Sequence, residues 1–360
     1  MASPPPPERP GPGVVLAPGD RVVVTGAAGF IGSAITRALL QRGVDVVATV
    51  EPGGRGANLR GLDLRRLTLD VRDRERTFEV MQGARAVFHV AAMYRFWAPD
   101  PEVFYEVNVT GSRNVVEASV AAGVERIVYT STVGTIGLKG SPAGRPADER
   151  DFARVDRLYG PYKQTKYVAE HEVLRASAEG APVTIVMPTF PLGPRDGRPT
   201  PTGKLVLDFL NGRMPGFVDT AMNVAHVDDL AECHLLALER GRVGRSYIAG
   251  GENLAMRDLL AHLASSTGLP VPGRRFPRVL GLGAGFVSDL VEGRLLGRHP
   301  SVPWEAARMS TTPMVFDDSR ARLELGYASR PAAEAIESSA RWYVENGYVR
   351  PGRYARISIP

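Results

Sequence analysis

The sequence predicts an α/β protein in which one parallel β-sheet is covered by helices on both faces and a smaller region is appended. Three observations lead to this fold class. Strand-like and helix-like segments alternate from Arg21 to Pro188, the strand-like segments are apolar along most of their length, and the alternation stops after Pro188. Strands of this kind are typical of parallel sheets, because both of their faces are buried. A chain of 360 residues is also long enough for a large domain and a smaller one.

Each predicted element follows from its local residue pattern. The first strand, "RVVVTG", is rich in β-branched residues, and the helix after it, "FIGSAITRALLQRG", has apolar residues at helical spacing and ends near Gly43. The segment "PEVFYEVNVTGSRNVVEASVAAG" is predicted as one long helix with Pro101 at its start, since proline is favoured in a first turn. The remaining strands are "VDVVATV", "RLTLDV", "AVFHVAA", "RIVYTST" and "VTIVMP", and the remaining helices are "RERTFEVMQG" and "PYKQTKYVAEHEVLRASA".

The predicted domain boundaries follow changes in composition. Seven prolines in the first 18 residues predict a flexible arm at residues 1–19, whose deletion through residue 18 should leave fold and activity intact. Residues 20–188 form the main domain, and the helix "NVAHVDDLAECHLLALERG" with the strand "SYIAGG" brings residues 224–250 back to it. Segments 189–223 and 251–348 are predicted to form a smaller, discontinuous substrate-binding region that caps the sheet.

The composition argues against several classes of protein. The net charge of +5 comes from scattered arginines without a run of five like charges, so no nucleic-acid partner is predicted, and anionic small ligands suit the balance equally well. The single cysteine, Cys233, lies in an apolar helical pattern, which predicts packing and excludes an intrachain disulfide. No metal-ligand spacing and no stretch of 18 apolar residues is present, which predicts a cytoplasmic protein with no metal and no membrane span.

Three glycines stand between the first strand and the first helix. They are Gly26, Gly29 and Gly32 of "VVVTGAAGFIG". Glycine here permits a tight turn and a close approach of backbone to a pyrophosphate, which the N–H groups of the helix N-terminus then bind. A glycine triplet alone is a weak signal, but this one opens a strand–helix unit, the context that a Rossmann-type dinucleotide site requires. The alternative is a glycine-rich turn without a ligand.

The end of the second strand indicates which dinucleotide is bound. Glu51 lies there, 19 residues beyond Gly32, where an acid bonds the ribose hydroxyls and repels a 2′-phosphate. The sequence therefore favours NAD, while Arg55 is close enough to leave NADP open and Glu51 is alternatively a solvated loop residue. Asp70, at the end of the third strand, either bonds the adenine amino group or caps the next helix.

Two Tyr-x-x-x-Lys pairs overlap in "YGPYKQTKYVAE". Tyr159 is paired with Lys163, and Tyr162 with Lys166. Pro161 belongs in the first turn of the helix, so Tyr159 precedes the helix and need not share a face with its lysine. Tyr162 and Lys166 are both helical and four residues apart, which places them side by side. We therefore predict that the second pair is the acid–base pair.

The chemistry of that pair follows from magnitudes. A free tyrosine has a pKa near 10, and a base near pH 7 needs a pKa lower by roughly 3, or about 4 kcal/mol. An ammonium at ~4 Å in an effective dielectric of ~20 contributes about that much, so Lys166 is predicted to lower the pKa of Tyr162. A hydroxyl partner for the substrate oxygen is supplied by Ser131 or Thr132 at the end of the fifth strand. Alternation places only one of the two toward the cleft.

These motifs together resemble the extended short-chain dehydrogenase/reductase superfamily. The resemblance is carried by "TGAAGFIG", the Thr132 hydroxyl, "YKQTK" thirty residues later, "VNVTGSRN" and "HVDDLA". It implies that Thr132, Tyr162, Lys166 and Asn108 are catalytic, with Asn108 lining the end of the fourth strand. The family more often has serine at the position of Thr132, so the substrate fit is expected to differ. The resemblance also implies a set of cofactor-binding residues: Gly26, Ala28, Gly29, Phe30, Ile31, Gly32, Glu51, Asp70, Val71, Ala91, Ala92, Tyr162, Lys166 and Pro188.

Within that superfamily the chain is similar to the hopanoid-associated sugar epimerases, a subgroup close to the dihydroflavonol reductases. This similarity is carried by "AAMYRFWAPDPE", "NVTGSRNVVEA", "RPTPTGKLVLDFLNGRMPGFVDT" and "HVDDLAECHLLALERG", and it runs from about Arg21 to Tyr348. It implies an NAD(P)-dependent sugar epimerase or reductase that exchanges a hydride at a hydroxyl or ketone carbon and is associated with hopanoids. One alternative is a ketone reductase of the dihydroflavonol reductase type. Another is a non-catalytic dinucleotide sensor, against which the intact Thr–Tyr–Lys set argues.

The substrate is expected to be a small molecule, either sugar-like or a ketone or alcohol. Tyr94, Phe96 and Trp97 of the aromatic loop after the fourth strand are candidates to contact it, and the alternative is that this loop only packs. Phe190, after the sixth strand, stands where a smaller or polar residue is expected, near the nicotinamide in relatives, and it is a further candidate to contact the substrate, as is Thr132.

A homodimer is also predicted, with a monomer as the alternative. The helices from about Pro101 to Ala122 and from Pro161 to Ala178 carry apolar residues on more than one face, and a surplus apolar face needs a partner. The residues in question are Val115, Val116, Ala118, Val120, Tyr167, Val168, Val173 and Leu174.

Overall fold

The computed structural model describes residues 13–95, 97–138, 145–309, 311–354 and 357. Its strands, in chain order, are β1 (Arg21–Thr25), β2 (Asp45–Val50), β3 (Arg65–Thr68), β4 (Ala86–His89), β5 (Arg126–Thr130), β6 (Val183–Pro188), β7 (Phe190–Leu192), β8 (Phe217–Val218), β9 (Ala221–His226), β10 (Ser246–Ala249), β11 (Glu252–Ala255) and β12 (Arg275–Phe276).

The helices alternate with these strands through the first half of the chain. They are α1 (Phe30–Gln41), α2 (Arg74–Met81), α3 (Glu102–Tyr105), α4 (Gly111–Ala121), α5 (Pro161–Ala178), α6 (Pro201–Leu210), α7 (Val227–Arg240), α8 (Met256–Thr267), α9 (Arg278–Ser288), α10 (Trp304–Met309), α11 (Ala332–Glu345) and α12 (Pro351–Tyr354). A wider π-helical turn at Glu106–Thr110 joins α3 to α4 in continuous helical conformation, so the predicted long helix is confirmed.

Seven parallel strands form the main sheet, in the order β10-β6-β5-β4-β1-β2-β3. The predicted fold class is confirmed, and "SYIAGG" supplies the edge strand β10. The strand order reverses between β1 and β4, so a crevice opens beyond the carboxyl ends of these strands, where sheets of this kind bind ligands.

Helices bury both faces of this sheet. Along β1, Val22 and Val24 point into one core cluster and Val23 into the other. The first cluster lies under α1 and α7, which pack on each other, and the second lies under α2, α4 and α5. Cys233 of α7 is fully buried in the first cluster, consistent with its predicted packing role.

A smaller region with a core of its own follows the main domain. Its sheet has the order β11-β9-β7, and α6, α8 and α11 pack around it. Because β9 pairs within this small sheet whereas α7 and β10 belong to the main domain, the chain returns to the main domain at Val227 and not at the predicted residue 224.

The predicted flexible arm is wrong for residues 13–19. Val14 is only 6% exposed and belongs to the core cluster under α1 and α7, and Leu16 packs against the same cluster. The backbone N–H of Val14 donates to the carbonyl oxygen of Leu238 at 3.1 Å. Apolar residues thus follow the prolines closely enough to anchor this segment, and residues 1–12 lie outside the described part of the chain.

Deleting residues 1–18 is therefore expected to destabilise the protein. Loss of the Val14 side chain from the core removes about 1.5–3 kcal/mol of burial, which lowers Tm by several degrees. Thermal denaturation of this protein and of one that lacks only residues 1–12, and so keeps Val14, checks the effect. Equal melting temperatures for the two truncations would show that Val14 contributes nothing.

The helices predicted to form the dimer interface bury most of their apolar residues within the chain. Val115, Val116, Ala118 and Val173 are buried, and only Val120 of the group is well exposed. The helix α2, the sheet and the contact between α4 and α5 thus cover part of the expected apolar face, while Tyr167, Val168 and Leu174 stay half-buried. The dimer remains a prediction.

Candidate active site

The glycine loop between β1 and α1 leaves no room for side chains. Gly26 has a φ of +66°, and a Cβ there would lie 2.8 Å from Cα of Ala91. A Cβ on Gly32 would lie 2.2 Å from the carbonyl oxygen of Gly26, and one on Gly29 would lie 3.1 Å from the same oxygen. Backbone rather than side chains therefore forms the surface at the start of α1, as the sequence predicts.

The first turn of α1 suits a phosphate group. The helix begins at Phe30 with Gly29 as its N-cap, no side chain caps its N–H groups in the described structure, and its first turn carries no acid. Free N–H groups and the positive end of the helix dipole attract anions. These residues fit the pyrophosphate of a dinucleotide, with Phe30 and Ile31 as N–H donors. Ala28 is fixed by Asn58, whose amide donates to its carbonyl oxygen at 3.1 Å.

The two carboxylates predicted to contact the adenosine lie in ion pairs. Glu51 is 2.5 Å from Arg198 of the loop after β7, and both side chains are exposed. Asp70 is 2.7 Å from Arg72, whose hydrogen bonds hold the pKa of Asp70 below its ordinary value. Asp73 rather than Asp70 caps α2, by accepting from an N–H of the first turn, so the capping alternative for Asp70 is wrong.

Glu51→Arg is expected to raise affinity for NADP relative to NAD. The change removes a carboxylate from the end of β2 and places a third cation near Arg198 and Arg55, which favours a 2′-phosphate by roughly tenfold. Calorimetric titration of both cofactors into the wild type, Glu51→Arg and Glu51→Gln separates the gained charge from the lost one. An unchanged ratio would mean that Glu51 lies away from the ribose.

Three further predicted cofactor residues lie at carboxyl ends of strands. Val71, after β3, is buried, and its carbonyl oxygen accepts from the Asn114 amide at 3.0 Å. Ala92 follows β4 and is partly buried, and Pro188 ends β6. All three therefore lie at the carboxyl edge of the main sheet, and their contact with the cofactor stays a prediction.

Helix α5 begins at Pro161, as predicted, and places Tyr162 in a cleft. Tyr162 is buried, and its ring centroid is 4.9 Å from that of Tyr94. Tyr159 precedes the helix, is partly exposed and stacks on the Arg308 guanidinium, 3.5 Å from its ring centroid. Of the two tyrosines only Tyr162 lines the cleft.

Lys166 is bonded to the end of β5. Its Nζ donates to the Tyr129 hydroxyl and to the carbonyl oxygen of Thr130, both at 2.8 Å. Burial lowers the pKa of Lys166 to about 7, and Glu170 opposes this change. Burial also raises the pKa of Tyr162, because desolvation of the phenol exceeds the opposing effect of the hydrogen bond with Thr132, so the predicted lowering by Lys166 does not appear in this structure.

Of the two hydroxyls that follow β5, only Thr132 lines the cleft. Ser131 is buried and donates to the Glu170 carboxylate at 2.5 Å, behind the strand end. The Thr132 side chain hydrogen-bonds the Tyr162 hydroxyl, which partly offsets the rise in the pKa of Tyr162. The alternation argument thus identifies the hydroxyl at the cleft, while catalysis by Thr132, Tyr162 and Lys166 stays a prediction.

Asn108 connects elements around the site. Its Oδ1 accepts from the N–H of Met93 at 2.7 Å, and its Nδ2 donates to the Thr165 hydroxyl at 3.0 Å. Ala91 lies in the same loop, and its backbone N–H donates a hydrogen bond to the Thr25 hydroxyl at 3.2 Å. Asn108 therefore holds the loop after β4 against α5 and is not among the residues that line the cleft, so its catalytic role stays a prediction.

The cleft at the carboxyl ends of β5 and β6 is mainly apolar. It is lined by Tyr94, Thr132, Val133, Gly134, Tyr162, Lys163, Thr189, Phe190, Thr202, Met222, Asn223, Met309, Met314 and Phe316. Tyr94 and Phe190, both predicted to contact substrate, are among them. Trp97 is not among them, and its ring packs edge-on against that of His299 with centroids 5.9 Å apart, so substrate contact by Trp97 stays a prediction. Phe96 lies outside the described residues.

A model of the NAD dependent epimerase/dehydratase family matches residues 22–250, more than half of the chain. The chain belongs to this family. It is an enzyme family, so the chain is an NAD(P)-dependent oxidoreductase or epimerase, as predicted, and the sensor alternative falls away.

Relatives of this family member extend over nearly its whole length. A putative dihydroflavonol 4-reductase of Synechocystis is 41% identical over 93% of this chain and 98% of its own. Sterol demethylase protein B of Methylococcus capsulatus is 33% identical over 91% and 99%. The crystal structure of gox2253 superposes with a TM-score of 0.81 at 40% identity, over 92% of this chain and 100% of that one.

The cofactor of the family is NAD. A dTDP-glucose 4,6-dehydratase from Streptomyces venezuelae, crystallised with NAD and TYD bound, superposes with a TM-score of 0.72 at 25% identity, over 92% of this chain and 99% of that one. The glycine loop and the uncapped start of α1 fit NAD in this family member as well.

Sequence reasoning missed a buried pair of opposite charges beside the cleft. Lys163 lines the cleft, and Glu305 of α10 is 3% exposed, with no hydrogen-bond partner for either carboxylate oxygen in the described structure. Burial raises the pKa of Glu305 and lowers the pKa of Lys163, and each charge moderates the change in the other. Gly160 makes this packing possible, since a Cβ there would overlap the Glu305 carboxylate. The two side chains meet because α10 packs against the segment "YGPYK", which is far from it in the sequence, so no local pattern predicts their contact.

Proposed function

We propose that this protein is an NAD(P)-dependent oxidoreductase that interconverts a ketone and an alcohol on a largely apolar substrate. The observation that carries the proposal is the asymmetry of the cleft. The hydroxyl groups of Thr132 and Tyr162 lie together, whereas much of the remaining wall is made of methionine and phenylalanine side chains: Phe190, Met222, Met309, Met314 and Phe316.

The lining favours an apolar ketone over a nucleotide sugar. A nucleotide sugar carries a diphosphate, which proteins commonly bind with arginine. No arginine lines the cleft in the part of the chain that the structure describes, and Lys163 is the cation there. Methionine side chains adapt to irregular apolar surfaces, which suits a bulky ring system or an alkyl chain.

The proposed roles follow from the positions of the side chains. Thr132 donates a hydrogen bond to the substrate oxygen, and Tyr162 delivers a proton to that oxygen or removes it. Lys166 fixes the end of β5 through Tyr129 and Thr130, which keeps the hydroxyls of Thr132 and Tyr162 in position. A bound nicotinamide cofactor supplies or accepts the hydride.

The names of the relatives support a reductase. A putative dihydroflavonol 4-reductase and a sterol demethylase protein are named for ring compounds rather than nucleotide sugars. The predicted sugar epimerase activity and the hopanoid association rest on the sequence resemblance, and the apolar cleft favours reduction over sugar epimerisation.

Cofactor oxidation distinguishes these activities. With NADH or NADPH in excess, we expect stoichiometric loss of absorbance with 4-phenyl-2-butanone or 2-octanone, at a rate that is lower by about 10²–10⁴-fold in Tyr162→Phe. An epimerase would instead convert UDP-glucose while its cofactor remains bound and is not consumed. Conversion of UDP-glucose without reduction of either ketone would overturn the proposal.

A further inference from the structure

Helix α9 and the π-helical turn after it, Asp289–Leu295, carry an unusual outer surface. A surface helix ordinarily turns polar residues to solvent. Here the large apolar side chains are the exposed ones: Val279, Leu280, Phe286, Val287, Leu290, Val291, Leu295 and Leu296. We call these eight residues the apolar face. Contiguous exposed apolar surface of this kind marks an interaction site.

The inner side of α9 explains this orientation. Gly285 is buried, and a Cβ there would lie 2.4 Å from Cβ of Ala307 on α10. A Cβ on Gly281 would lie 3.4 Å from Val218 of β8. The inner side of α9 packs on the protein through Gly281 and Gly285, which leave no space there for large side chains, so the larger apolar residues of the helix face solvent.

Exposed arginines flank the apolar face along the sequence. Between residues 271 and 300 the chain carries five arginines and two carboxylates. The carboxylates are already engaged: Asp289 lies 3.8 Å from Arg294, and Glu292 accepts hydrogen bonds from Ser288 and Ser301. The exposed arginines are Arg274, Arg275, Arg278, Arg294 and Arg298. A helix with an apolar face and a cationic border suits the interface of an anionic bilayer.

We propose that α9 and the turn after it dock this protein on the surface of an anionic lipid membrane, with the apolar face inserted among the acyl chains and the arginines at the headgroups. No helix in the described part of the chain is long and apolar enough to cross a bilayer, so the contact is peripheral. A second copy is a poorer occupant, because a two-fold contact through this face sets the arginines of one chain against those of the other.

The docking surface lies one helix away from the candidate cleft. Phe286 packs edge-on against Trp304 of α10, with ring centroids 6.0 Å apart, and Met309 at the other end of α10 lines the cleft. An apolar substrate dissolved in the membrane would therefore have a short path to the cleft. The docking itself does not depend on the proposed reaction, because it is measured without turnover.

Vesicle co-sedimentation tests the proposal. The full-length protein is mixed with vesicles of phosphatidylcholine alone or with 30% phosphatidylglycerol, at low and high salt. We expect binding to the anionic vesicles, and weakening as salt rises, since screening removes the contribution of the arginines. Phe286→Glu/Leu295→Glu should weaken binding by roughly a hundredfold, since each change removes an apolar side chain whose insertion into the membrane raises the affinity by about tenfold or more.

A matched control separates insertion from a general effect of added charge. Phe152 and Leu323 are 74% and 85% exposed outside the apolar face, compared with 57% and 73% for Phe286 and Leu295. Phe152→Glu/Leu323→Glu should bind vesicles as the wild type does. Equal loss in both double variants, or no binding of the wild type to anionic vesicles, would overturn the proposal. So would a dimer in light scattering that dissociates in Phe286→Glu/Leu295→Glu, since a second copy would then cover the face.

Discussion

Tyr162→Phe is expected to leave the protein folded and able to bind NAD while turnover falls by about 10²–10⁴-fold, the typical contribution of one acid–base group. The change removes a single hydroxyl from a buried ring that keeps its contact with Tyr94. Reduction of 4-phenyl-2-butanone gives the rate, and calorimetric titration of NAD shows whether the cofactor site survives.

Tyr159→Phe is the matched control. Tyr159 lies one turn away, outside the cleft, where its ring stacks on Arg308. Phenylalanine keeps most of this contact, so the rate should change by less than about threefold. If Tyr159→Phe abolished activity and Tyr162→Phe did not, the assignment of the acid–base tyrosine would be wrong.

Much of the main domain was predictable because local and tertiary signals agree there. The valines of β1 alternate between two buried faces, so the three central residues of the strand are all apolar, and Pro161 starts α5 where proline is favoured. The same agreement placed Tyr162 on a helix and Tyr159 before it. These inferences needed only the chain near each residue.

The predictions that were wrong concern residues whose environment is set by contacts with parts of the chain that are distant in the sequence. Val14 follows a proline-rich segment, and its place in the core depends on Leu238. The pKa of Tyr162 is raised because its ring is deeply buried, and Lys166 hydrogen-bonds the Tyr129 hydroxyl. Neither fact has a local signal in the sequence.

The exposure of the helix surfaces was also not predictable from the sequence. Apolar residues of α4 and α5 suggested an exposed face, yet the fold buries half of those named and partly covers three others, while α9 exposes residues whose pattern is that of an ordinary helix. Helical periodicity reveals an apolar stripe but not whether a neighbour covers it. Gly281 and Gly285 turn the stripe of α9 outward, and only their contacts with Val218 and Ala307 reveal this.

Gly26→Ala is expected to lower stability by about 2–5 kcal/mol and to weaken NAD binding by at least tenfold. A left-handed conformation costs a residue with a Cβ about 1–2 kcal/mol, and the clash adds about 1–3 kcal/mol. The clash arises because a Cβ at Gly26 would lie 2.8 Å from backbone atoms of Ala91, which cannot move without disturbing the loop after β4. Urea denaturation gives the stability, and calorimetric titration gives the NAD affinity.

Gly61→Ala separates the two contributions. Gly61 has a φ of +73°, close to the +66° of Gly26, but a Cβ there would meet nothing within 4 Å. This variant should therefore lose only the conformational part, about 1–2 kcal/mol, and bind NAD as the wild type does. The difference between the variants measures how tightly the glycine loop packs on the residue after β4. If both lost stability equally and Gly26→Ala still bound NAD normally, the close approach at Ala91 would not shape the cofactor site.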